Sequence, residues 1–133
     1  MANVRQGAAG IVTAPEGFLA EVARLAAART AVLSRIASSC ARAGRDPAGV
    51  TLVAVSKTFP EEAVRAVHAL GQREFGENYV QEAQEKMGKF KEKSLKWHFI
   101  GHLQKNKARA AARLFRWIHS VDGAGLLRLR VAI

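Results

Sequence analysis

Between residues 51 and 122, short runs rich in β-branched and aromatic residues alternate with longer stretches of helical period, and this alternation constrains the fold most. Thr51–Ser56 contains the continuous apolar run Leu52-Val53-Ala54-Val55, which predicts a fully buried strand. Pro60–Leu70 predicts a helix with Ala63, Val64, Val67 and Leu70 facing inward. Thr58 and Glu61 form a capping-box pattern at its start, and Gly71 is its stop signal. A strand at Arg73–Gly76 follows, then a helix starting at Glu77-Asn78-Tyr79 and running to about Phe90. After the polar loop Lys91–Ser94 come a strand at Leu95–Ile100, an alanine- and arginine-rich helix at Leu103–Phe115, and a strand at Trp117–Val121. Asp122 is placed to cap a further helix.

Strands that alternate with helices through short links pair in parallel by right-handed crossovers. With no glycine fingerprint, units arriving in order suit an α/β chain of the (β/α)8 TIM-barrel type better than a doubly wound sheet. A complete barrel takes about 250 residues, and this chain has 133. The expectation is a partial barrel of the first four or so β/α units. The tail Gly125–Ile133 lacks a terminator or polar finish, so a chain truncated, or altered in its last residues, is expected.

Upstream, Thr13-Ala14-Pro15-Glu16 is a second capping-box pattern and opens a long amphipathic helix. Leu19, Val22, Ala26, Leu33, Ile36 and Cys40 make its apolar stripe, with Arg24, Arg29, Arg35 and Arg42 largely off it. Gly44 and Asp46-Pro47 end the helix, which is expected to pack across the outside of the strands. Residues 1–14 read as a flexible leader and 15–133 as the barrel part.

Composition narrows the classes of function. No apolar run approaches the ~18 residues of a membrane helix, and residues 1–14 lack a charged-then-apolar signal pattern. The single cysteine, Cys40, excludes an internal disulfide and a four-cysteine metal site; on a helix's apolar face it reads as a small core residue in a reducing compartment, so a cytoplasmic location is expected. The net charge of +10 is concentrated between Lys86 and Arg116. There Lys86, Lys89, Lys91, Lys93, Lys96, Lys105, Lys107, Arg109, Arg113 and Arg116 face only Glu92. These read as solvated helix and loop positions without the aromatic interleaving of single-strand binders, so no specific nucleic-acid binding is expected.

The strand ends carry the chemistry. Lys57 lies where a strand stops and a helix starts, the edge at which α/β folds bind ligands, and an amine with apolar surface behind it can lose its proton and act as a nucleophile. His98 and His102 are four apart, but Gly101 intervenes and His98 lies in a predicted strand, so no metal site is expected. Trp97 and Phe99 read as core. Asn78 at a helix start offers both donor and acceptor, and a plain helix cap accounts for it equally well.

The strings VAVSKTFP, FGENYVQE and WHFIGHLQKNK, in this order, with His119-Ser120-Val121-Asp122 after them, closely resemble the pyridoxal-phosphate homeostasis protein family. Its members are single-domain, fold type III relatives of the alanine racemase barrel. The resemblance covers roughly Glu16 to Leu126 and implies the following. Pyridoxal 5′-phosphate (PLP) is held as a Schiff base on Lys57, and Asn78 and the segment His98–Gly101, with Ile100, line the cofactor pocket. The protein buffers or delivers PLP inside the cell without robust catalysis of its own; PLP-dependent apoenzymes are candidate recipients and a monomer is expected. The alternative of the same fold, an amino-acid racemase, needs a second acid/base opposite the lysine, and the one tyrosine here is Tyr79. The chain departs from the family at Phe59, where a second lysine is frequent, and lacks the late strands whose serine, glycine and threonine groups grip the phosphate.

Overall fold

The computed structural model describes residues 3–5, 11–13 and 16–127, which fall into two units, Met1–Val50 and Thr51–Ile133. In the first unit, β1 (Asn3–Arg5) pairs antiparallel with β2 (Ile11–Thr13) inside the stretch read as a leader. The long helix predicted after residue 16 is present as α1 (Glu16–Ala43). Ala14 and Pro15 of its capping-box pattern lie outside the described residues, as does the end of the chain beyond residue 127. The C-terminus of α1 is closed as its glycine predicts. Gly44 takes φ +63, its amide donates to the Ala41 carbonyl, and the Arg45 amide reaches back to the Cys40 carbonyl at 2.8 Å. A left-handed residue is needed for that pair of bonds, and glycine adopts it without a Cβ penalty. Cys40 is buried as expected, whereas Leu33 of the same stripe remains exposed.

In the second unit, β3 (Ala54–Val55), β4 (Glu74–Glu77), β5 (Lys96–Phe99) and β6 (Trp117–Ile118) form one parallel sheet in the order of the chain. The connecting helices are α2 (Glu61–Ala69), α3 (Val80–Gly88) and α4 (Ala108–Leu114), and a short α5 (Ala124–Leu127) follows β6. Sequential parallel strands with a helix after each are the start of a (β/α) barrel, as the alternation predicts. One sheet face is packed by helices: Phe75, Trp97 and Phe99 join Val64 of α2, Ala83 of α3 and Ala111 of α4 in a single core. The core roles of Trp97 and Phe99 are thus borne out. The opposite face carries the register row Val55, Gly76, His98 and Trp117, where Val55 and Trp117 are 50% and 56% exposed.

Three expectations are corrected. The first strand is two residues long, and Val55 is not buried, because among the described residues β3 has a strand neighbour on one side and an uncovered face. The Thr58–Glu61 capping box does not form: Pro60 occupies the cap of α2 with no side-chain hydrogen bond, and the Thr58 hydroxyl turns to the Lys57 carbonyl at 2.6 Å. Lys86, read as part of an exposed basic face, is buried at 7% exposure. It lies against a carboxylate that is itself sealed from solvent, and the ion pair outweighs the preference of lysine for water. The other basic residues of that stretch are exposed. Smaller shifts are one to three residues at element ends: α3 starts at Val80 rather than Glu77, the last strand stops at Ile118 rather than Val121, and the predicted helix 103–115 begins as a 3-10 turn at Lys105–Lys107 before continuing as α4.

Candidate functional site

Lys57 sits in a tight turn at the C-terminal end of β3. The Ser56 amide still donates to the Gly76 carbonyl of β4 at 2.9 Å, and the Phe59 amide closes the turn on the Ser56 carbonyl at 3.1 Å. Thr58, third in the turn, has φ +65. That position favours glycine or asparagine, and a β-branched residue there costs on the order of 1–3 kcal/mol. The Lys57 side chain is exposed.

The turn is held from below by a buried polar cluster. Glu77, at the end of β4, is fully buried. Its Oε1 accepts from Lys86 Nζ of α3 at 2.5 Å and from Ser56 Oγ at 2.8 Å. Lys86 Nζ also donates to the Ser56 carbonyl at 2.7 Å and lies 3.3 Å from Glu82 Oε1. Glu82 in turn accepts the Thr58 amide at 2.6 Å. A buried carboxylate is tolerated only when paired and hydrogen-bonded, and Lys86 meets that need with three acceptors.

Asn78 follows β4, and Tyr79 rather than Asn78 is the cap residue of α3, with no side-chain capping bond. The plain-cap account of Asn78 therefore does not hold. Its Oδ1 is buried and, among the described residues, has no hydrogen-bond partner; the same holds for Glu77 Oε2. A buried acceptor left unpaired costs about 1–3 kcal/mol, so Asn78 Oδ1 is poised for a donor. Gly101 meets Asn78 closely: a Cβ at 101 would stand 2.3 Å from the Asn78 carbonyl oxygen and 2.8 Å from its Cα. Only glycine lets the ends of β4 and β5 approach this near. Gly76 is similarly confined, with Ile100 Cδ1 at 3.0 Å and Val53 Cγ1 at 3.2 Å from its would-be Cβ. Val53 and Ile100 thus flank Gly76 on the open sheet face. The Ile100 amide donates to the Glu77 carbonyl at 2.9 Å.

His98 is buried mid-strand, with both ring nitrogens engaged. Nε2 lies 2.7 Å from Glu74 Oε2 and Nδ1 lies 2.9 Å from His119 Nε2. A carboxylate only accepts, so Nε2 of His98 carries hydrogen; in the neutral ring Nδ1 then accepts from His119. The Trp117 and His119 rings lie nearly parallel to the His98 ring, with centroids 6.4 and 5.2 Å from it. Burial raises the Glu74 pKa, but hydrogen bonds from His98 and Lys96 and the nearby Lys96 charge outweigh it, leaving Glu74 below its ordinary value. His102, four residues on from His98, is instead exposed and lies 3.4 Å from Asp122.

The structure therefore places Lys57, Asn78, Ile100 and Gly101 at the C-terminal ends of β3, β4 and β5, and His98 one strand layer below. Sequence reasoning missed the supports: Lys86, Glu77, Glu82 and Ser56 under the turn, and Glu74 and His119 around His98. The i,i+4 pair Glu82–Lys86 was the available signal.

No family model matches this chain. A search of curated proteins finds the pyridoxal phosphate homeostasis protein of Pseudomonas aeruginosa, 52% identical over 101 residues, which cover 76% of this chain and 42% of that protein. The Escherichia coli K12 protein of the same name is 47% identical over 104 residues, with the same coverage of each. This chain is a homologue of the pyridoxal phosphate homeostasis proteins. It spans about 42% of the length of these relatives, corresponding to their N-terminal part. Among solved structures, PipY of Synechococcus elongatus with PLP bound is similar at TM-score 0.59 and 46% identity, over 71% of this chain and 44% of that one. An unknown protein of Bifidobacterium adolescentis gives TM-score 0.72 at 28% identity, over 86% of this chain and 49% of its own. The resemblance carried by the three motifs is thus borne out, and so is the parallel α/β fold.

Proposed function

We propose that this chain binds PLP in the manner of its homologues and takes part in intracellular PLP homeostasis, with Lys57 as the attachment residue. PLP, when bound, supplies an aldehyde that combines with a primary amine. The observation that carries the reading is the site at the ends of β3 and β4. An exposed lysine on a fixed turn stands one strand from a buried acceptor, Asn78 Oδ1, that has no partner among the described residues. PipY, similar over 71% of this chain, has been solved with PLP. Lys57 provides the amine, Asn78 accepts a hydrogen bond and adds no charge, and Ile100 with Val53 offers an apolar floor beside Gly76. His98, backed by Glu74, keeps the adjoining strand surface rigid and polar. Binding without turnover fits the homeostasis name of the relatives, and Tyr79, the chain's one tyrosine, is 59% exposed. Delivery to PLP-dependent apoenzymes in the cytoplasm, by a monomer, completes the proposal; the basic surface attracts anions without specificity for nucleic acid.

The test is the absorbance spectrum of purified protein mixed with PLP, beside Lys57→Ala. An imine band in the parent protein that is absent from the variant is expected. Equal spectra from both would remove Lys57 from the proposal, and no band in either would remove PLP binding by this chain.

A further inference from the structure

We propose that Glu82 and Lys86, one turn apart on α3, are positioning residues that fix the direction in which the Lys57 side chain leaves the turn by gripping the chain on both sides of it. This rests on the reading of Lys57 as the attachment residue. Lys86 Nζ holds the Ser56 carbonyl at 2.7 Å and Glu82 Oε1 holds the Thr58 amide at 2.6 Å. Lys57 is therefore suspended between two charge-assisted hydrogen bonds to the same helix. Such bonds are roughly twice as strong as neutral ones. The grip also explains how Thr58 keeps φ +65, a conformation a threonine retains only where its surroundings over-determine it. Glu77 completes the device from beneath, anchoring Lys86 and the Ser56 hydroxyl on one buried oxygen. With the grip released, Thr58 relaxes toward negative φ, the turn reopens, and the direction in which the Lys57 side chain leaves the backbone is no longer fixed. A bound molecule that must meet both Lys57 and Asn78 then loses the benefit of pre-organisation.

Glu82→Leu removes the acceptor at a position 31% exposed, while Glu82→Gln keeps an oxygen there. The first readout needs no cofactor: hydrogen exchange of the Thr58 amide by NMR. In the parent protein this amide is expected to exchange at least about tenfold more slowly than in an unstructured peptide, as one charge-assisted bond provides. That protection is lost in Glu82→Leu and largely kept in Glu82→Gln. The second readout is retention of PLP on Lys57 after gel filtration, expected to fall about tenfold in Glu82→Leu and to recover in Glu82→Gln, while melting stays cooperative in both. Fast exchange at Thr58 in the parent protein overturns the proposal, and so does identical behaviour of the Leu and Gln variants. Should the parent protein take up no PLP, the proposed function fails, yet the exchange readout still decides whether the grip exists.

Discussion

At the scale of single residues, two side-chain positions have consequences that can be measured separately. Gly101 admits no Cβ, since the Asn78 backbone occupies its place. Gly101→Ala must push β4 and β5 apart at their ends, and a loss of about 2–3 kcal/mol in chemical denaturation is expected, within the range for overpacking. Ala at the exposed Gly88, where nothing stands within 4 Å, serves as the control. Glu74 is the second position. Its pKa lies below the ordinary value of 4.5 when folded, so its contribution is present in full above that value and is lost as pH falls through the folded pKa. Glu74→Gln is expected to lower stability by about 1–2 kcal/mol at pH 7, as for a hydrogen bond involving a charged group. The gap from the parent protein should close as pH drops below 4.5. A gap that stays constant down to pH 3 would show that the carboxylate charge contributes nothing.

At the scale of elements, α3 does more than cover the sheet. Ala83 faces the core, while Glu82 and Lys86 reach the turn after β3. Lys86→Met leaves Glu77 buried without its counter-ion and is expected to cost about 3–5 kcal/mol in chemical denaturation. The double variant Lys86→Met/Glu77→Leu removes both charges and should recover most of that loss. A double variant as unstable as the single one would mean that the pair matters through packing rather than charge. This buried pair is also what the sequence hid. Residue type groups Lys86 with the solvated lysines although it stands three residues after buried Ala83, because nothing local reveals that the strand-end carboxylate of Glu77 is sealed and seeks a cation. The strand and helix sequence, by contrast, was legible from apolar period and from Gly44 and Gly71, both of which adopt positive φ. Thr58 misled for a related reason: its spacing to Glu61 matches a capping box, but the turn that presents Lys57 takes the threonine into left-handed φ and sends its amide to Glu82.

At the scale of the molecule, the described sheet has β3 and β6 at its edges and one face with Val55 and Trp117 exposed. These two exposed apolar side chains offer contact to hydrophobic dyes. Val55→Thr with Trp117→Gln is expected to reduce dye fluorescence several-fold while the helical circular dichroism is kept; unchanged fluorescence would place the dye elsewhere. The motifs around Lys57, Asn78 and Gly101 were legible because each marks the end of a strand, where backbone approach and turn geometry restrict the residue type. The central claim concerns one atom, the Nζ of Lys57. The direct measurement is borohydride reduction of the protein with PLP, followed by proteolysis and mass spectrometry of every lysine-containing peptide. The account predicts a single major pyridoxyl adduct, on Lys57, absent from Lys57→Ala. An adduct spread evenly over the exposed lysines, or unchanged in the variant, would contradict it.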